Sequence, residues 1–190
     1  TNWNVNVQHQ LFTNYMIELT YAGSRGRQYL LKGDPNEPPA TVGVTNSNIL
    51  RPYATLAPAL RTVAQVQSTG ILDYQAFLAK VQRRYANGIS LLASYSLAKA
   101  QDYNSDNDGT VTVANVYDIA GYNYGPADYD IRHTVSVAGA YELPLGRTKW
   151  YGGWQVSGIG YWRTGYPFTP GQTAGILSTT PGGTGQRPNV

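Results

Sequence analysis

A chain of 190 residues with no cysteine and a formal net charge of +3 suits a single domain built without disulfides. Its basic residues are scattered, Arg83-Arg84 being the only adjacent pair, which argues against a phosphate-tracking nucleic-acid surface. Mean hydropathy is −0.35 although 42% of the residues are hydrophobic, and no run approaches the ~18 unbroken apolar residues of a membrane helix, so helical spanning is excluded while a β-barrel stays open.

The apolar residues are dispersed by alternation. Trp3, Val5 and Val7 alternate with Asn4, Asn6 and Gln8. After a short turn near Phe12 to Asn14, Tyr15, Ile17, Leu19 and Tyr21 alternate with Met16, Glu18 and Thr20, which predicts the return strand of a hairpin. From Gly23 the pattern dissolves into a stretch carrying Pro35, Pro38, Pro39 and Pro52, where a central strand is forbidden. Order returns near Thr62 to Ser68 and again from Asp73 to Tyr85. Asn87-Gly88 then predicts a type I′ turn, because both residues accept positive φ cheaply. Beyond it Ile89, Leu91, Ala93, Tyr95 and Leu97 form one apolar row, interleaved with Ser90, Ser94, Ser96 and Ala98.

The segment 101–129, rich in Asp, Asn, Gly and Tyr, reads as a second long loop. Alternation resumes at Ile131, with His133, Val135, Val137, Gly139, Tyr141 and Leu143 on one face and Arg132, Thr134, Ser136, Ala138, Ala140 and Glu142 on the other. Trp154 to Tyr166 predicts a sixth strand whose phase slips by one register, and a bulge near Gly158 would reconcile the two halves. The expected fold is therefore all-β: an antiparallel transmembrane β-barrel segment of about six strands. Its hairpins lie at about 3–22, 73–100 and 131–166, with long loops at about 23–61, 101–129 and 167–190. Short and long connections alternate, as periplasmic turns and extracellular loops do in outer-membrane barrels, and aromatics such as Trp3, Tyr21, Tyr74, Tyr85, Trp150, Trp154, Trp162 and Tyr166 cluster at strand ends.

Several blocks together resemble Oar-like TonB-dependent receptors: Arg83 to Ala100, Gly125 to His133, Tyr141 to Gly146, Gly153 to Ile159 and Thr164 to Pro170. The resemblance implies a C-terminal barrel segment of a Gram-negative outer-membrane receptor that imports substrates with energy relayed by TonB. Its implied partners are outer-membrane lipid, the remaining strands and plug of the parent barrel, and the TonB complex. The plug and an aromatic-ended terminal strand are expected to lie outside this sequence. On this reading Ile89, Leu91, Tyr95, Val135 and Val137 face lipid, while Lys80, Ser90, Ser94 and Glu142 face the lumen or plug.

No nucleophile elbow, phosphate-cradling glycine loop or paired-histidine metal motif is present, so no catalytic residue is expected. Asn104, Asp106, Asp108 and Gly109 match the start of a calcium loop, making calcium a candidate ligand, although Asn115 stands where a bidentate Glu belongs. Asp128, Asp130, Arg132 and His133 mark a loop entering a strand, with the two aspartates and the arginine expected to pin the strand end by charge-assisted hydrogen bonds. Two other function classes stay open. One is a structural surface protein that self-associates through open sheet edges; the other is a secreted carbohydrate-binding β-sandwich.

Overall fold

The computed structural model describes residues 1–39, 46–105, 115–145 and 152–168. Seven β-strands form one antiparallel sheet: β1 (Asn2–Leu11), β2 (Tyr15–Gly33), β3 (Gln65–Ala86), β4 (Ile89–Asp102), β5 (Gly125–Pro126), β6 (His133–Glu142) and β7 (Gln155–Arg163). The order is β1-β2-β3-β4-β6-β7, with the two-residue β5 pairing to the end of β4. Helical structure among the described residues is limited to a single 3₁₀ turn at Ser47–Leu50 and α1 at Ile119–Asn123. The chain divides into two compact units, 1–24 with 74–99 and 130–166, and 25–73 with 100–129 and 167–190.

In the first unit the β3–β4 connection follows from local chemistry. Asn87 and Gly88 have φ of 53° and 77°, the double positive φ of a type I′ turn, so β3 passes into β4 with only two residues between them. In the first hairpin Val5 faces Tyr21, Val7 faces Leu19 and His9 faces Ile17, so the apolar residues of β1 and β2 share one face. The other face carries Asn6, whose Nδ2 donates to Glu18 Oε1 at 2.9 Å and to Thr20 Oγ1 at 2.6 Å. Gly23 sits opposite Trp3, and a Cβ there would run into the indole, so the glycine makes room for the ring.

β4 and β6 pair in the same way. Leu91 opposes Gly139, Ala93 opposes Val137 and Tyr95 opposes Val135, whereas Ser90 opposes Ala140 and Ser94 opposes Ser136. One face is thus apolar and the other small and polar, as the alternation predicts. The expected bulge near Gly158 is absent. β7 pairs with β6 residue for residue from Glu142↔Gln155 to Thr134↔Arg163. The slip in hydropathy has another cause: β7 carries large apolar residues on both faces, Val156 and Trp162 on one and Ile159 and Tyr161 on the other.

No second layer covers this sheet among the described residues. Among the described residues the buried apolar side chains are Leu31, Ala76, Ala100 and Ala127, while Val5 and Val7 remain 61% and 59% exposed and Ile159 85%. Burying one such side chain in an apolar medium is worth about 1.5–3 kcal/mol, so rows of them on one sheet require a solvent other than water. β1, β6 and β7, at 10, 10 and 9 residues, have the length a tilted strand needs to cross a bilayer, ~9–11 residues. The sandwich alternative requires an opposing sheet, which the described residues do not provide.

The second unit is organised by polar side chains. β2 runs on to Gly33, past Gly23 where alternation ends, and β3 begins at Gln65. Between them Asn36, fully buried, holds the loop together. Its Nδ2 donates to the Leu60 and Arg61 carbonyls at 3.1 and 3.3 Å, and its Oδ1 accepts the Tyr53 N–H at 2.9 Å. Asp34 Oδ1 accepts the N–H groups of Asn36 and Val63 at 2.9 and 3.0 Å, an Asx turn that starts the loop and ties down its end.

Beside this hub Glu37 is 5% exposed, and its Oε2 has no hydrogen-bond partner among the described residues. Burial first, then the Asp34 charge, raise its pKa from 4.5 to about 7, against the opposing pull of Arg51. The folded loop therefore retains a proton that the open chain releases above pH 4.5. Its stability is greatest below that value, falls as pH rises toward about 7, and is then level, the loss reaching up to ~3 kcal/mol. Amide exchange in residues 48–63 should be slower at pH 5 than at pH 8 once corrected for intrinsic rates. Glu37→Gln should abolish that difference.

Candidate functional site

The small, polar face of β4, β6 and β7 is the surface best shaped for function. Three registers align its rows: Ser90 with Ala140 and Ser157, Leu92 with Ala138 and Ile159, and Ser94 with Ser136 and Tyr161. The short side chains in these rows leave a hollow of about 670 Å³ over the sheet, bordered by Arg83, Ser90, Leu92, Ser157 and Ile159. The floor is uncharged, its hydroxyls and methyls interrupted by the larger Leu92, Ile159 and Tyr161. At one end Tyr85 donates its phenol hydrogen to the Glu142 carboxylate. Arg83 lies over the Tyr15 ring, 5.4 Å from its centroid, and donates to the Ala86 carbonyl at 3.2 Å.

Of the residues expected to share a lumen face, Ser90, Ser94 and Glu142 do lie on one face of the β4–β6 ladder. Lys80 is placed by a different partner. Its Nζ lies 3.5 Å from Glu18 Oε2, next to the Asn6 and Thr20 network of the first hairpin. Ile89, Leu91, Tyr95, Val135 and Val137 occupy the opposite face of the ladder together.

The loop-to-strand motif is held by backbone and side-chain bonds together. Arg132 supplies one charge-assisted bond, its guanidinium donating to the Ala98 carbonyl at 3.3 Å, and the Ala98 N–H donates to the Arg132 carbonyl at 3.0 Å. His133 Nδ1 is 2.8 Å from Tyr95 Oη, with the two rings stacked 6.1 Å apart, and its N–H donates to Thr164 Oγ1 at 3.2 Å. Asp130 is buried. The Asp128 N–H donates to Ser105 Oγ at 2.8 Å, and that hydroxyl in turn donates to the Asp102 carboxylate at 3.0 Å. Asp102 and Ser105 were not singled out from the sequence, where they merge with the Asp-rich run that follows.

Asn104 is described, but Asp106, Asp108 and Gly109 of the calcium motif, like Trp150, lie outside the described residues. Among the described residues no group of three or more His, Asp or Glu side chains could hold a metal ion.

Elsewhere in the second unit Asp73 gathers Arg25 Nε at 2.7 Å, Arg27 at 3.4 Å and the Tyr124 hydroxyl at 3.1 Å. It fastens β2 to β3 beyond Gly23, the stretch where alternation gives no strand signal.

Comparison with curated proteins yields no match, and comparison with solved structures yields none either. Comparison with protein families matches the outer membrane beta barrel domain over residues 1–190. An antiparallel sheet of hairpins with exposed apolar rows is what such a domain requires, and outer-membrane localisation in a Gram-negative bacterium follows. The chain belongs to the outer membrane beta barrel domain family.

Proposed function

We propose that this barrel domain serves a TonB-dependent transporter or receptor, with the Leu91 and Val135 row against lipid and the Ser90 and Ser94 row toward the lumen. The observation that carries this reading is the uncharged floor across β4, β6 and β7, where Ser90, Ser94, Ser136, Ala138, Ala140 and Ser157 lie beside Leu92, Ile159 and Tyr161. A face of hydroxyls and methyls holds a plug weakly, so the plug can be displaced without breaking buried ion pairs. The resemblance of the Arg83 to Ala100 and Gly125 to His133 blocks to Oar-like receptors supports the TonB link.

The test is Ser94→Cys in the receptor expressed in intact cells, reacted with a membrane-impermeant maleimide. Labelling should be faster in energised cells with TonB than in cells lacking it. Equal rates in the two strains would contradict TonB-dependent opening.

A further inference from the structure

A second cavity, of about 240 Å³, lies wholly within the second unit. Its lining includes a row of alternate β3 side chains, Gln65, Gln67 and Thr69, together with Leu31 of the neighbouring β2 and with Tyr117 and Ile119. The Tyr117 ring is held in place because its hydroxyl donates to the Glu37 carbonyl.

We propose that this cavity binds a single neutral pyranose ring, either as a free monosaccharide or as the terminal residue of a glycan. The chemistry of the walls selects the ligand. None of the described residues lining the cavity carries a charge, so an amino acid or phosphorylated metabolite would lose hydration of its charges without a partner. A purely apolar ligand fits no better, since it would strand the amides and the hydroxyl.

Gln67 Nε2 donates to Gln65 Oε1 at 3.0 Å, which orients both amides and leaves Gln67 Oε1, Gln65 Nε2 and Thr69 Oγ1 for a ligand. Side chains two apart on a strand stand about 7 Å from one another, comparable to the breadth of one sugar ring. The hydroxyl edge of a pyranose pairs with this row, while its C–H face packs on Leu31, Tyr117 and Ile119. The volume lies just below the ~300–1,000 Å³ of sites for drug-sized ligands, which limits the occupant to one ring. This inference does not depend on TonB or on transport.

The test is saturation-transfer NMR on the purified full chain in detergent micelles. The probes are D-glucose, D-galactose, D-mannose and N-acetyl-D-glucosamine, each also as its methyl pyranoside. At least one sugar should bind with a Kd of about 1–10 mM. Gln67→Leu should weaken it at least ~10-fold and Thr69→Val at least ~3-fold, both variants retaining the folded electrophoretic mobility. Equal binding of a free sugar and its methyl glycoside assigns the site to glycan termini, and binding of the free sugar alone assigns it to monosaccharides. Absence of saturable binding by every probe up to ~100 mM, or binding indifferent to both substitutions, overturns the proposal.

Discussion

Val137→Arg is expected to destabilise the membrane-inserted fold by about 2–4 kcal/mol, whereas Ser136→Arg, one residue away, should cost less than ~1 kcal/mol. Val137 is near the middle of β6, and its neighbours across the ladders are Ala93 and Gly160, neither of which can pair with a guanidinium. With the Val137 row against lipid, as proposed, a charge there enters hydrocarbon or drags water and headgroups toward the bilayer centre. Ser136 is opposed by Ser94 and Tyr161 on the other face, where a long cation can reach lumen water. Denaturant titration of the folded fraction in lipid vesicles measures both. Equal costs would mean that the two faces of β6 do not differ in solvent.

Asn36→Leu should loosen the 34–63 loop by about 2–4 kcal/mol. The substitution nearly preserves volume but removes a donor shared by the Leu60 and Arg61 carbonyls and the acceptor for the Tyr53 N–H; Arg51 still donates to the Arg61 carbonyl, whereas the Leu60 carbonyl and the Tyr53 N–H lose their bonds to the fully buried Asn36. Asn36→Asp keeps the acceptor yet turns an oxygen toward two carbonyls, so it should destabilise in the same direction. Amide exchange at Tyr53 and Val63 reports both variants, and protection unchanged from the parent would remove Asn36 from its place as the hub. The strands of the first unit should keep their protection in either variant, because none of these bonds reaches them.

Alternation made the all-β architecture and the strand faces legible, since a period-two change of polarity is written into adjacent residues such as Ser90-Leu91 and Ser136-Val137. The Asn87-Gly88 turn was legible for the same reason: its geometry is set by two adjacent residues that tolerate positive φ. The continuation of β2 to Gly33 was not, because Arg25 and Arg27 are fixed by Asp73, some fifty residues away. Asn36 was hidden in the same way, its partners lying 24 and 25 residues further along the chain. The bulge expected at Gly158 came from assuming that one face of every strand must be uniformly apolar. β7 breaks that assumption without breaking the ladder, because a small-residue floor leaves space beside Ile159 and Tyr161.

Electron paramagnetic resonance tests the lipid-facing row most directly, using single nitroxides from Thr134 to Ala140 in lipid vesicles. The account predicts oxygen accessibility peaking at Val135, Val137 and Gly139, with a water-soluble nickel chelate peaking at Thr134, Ser136 and Ala138. Nickel accessibility at Val135 and Val137 equal to that at Ser136 would contradict it.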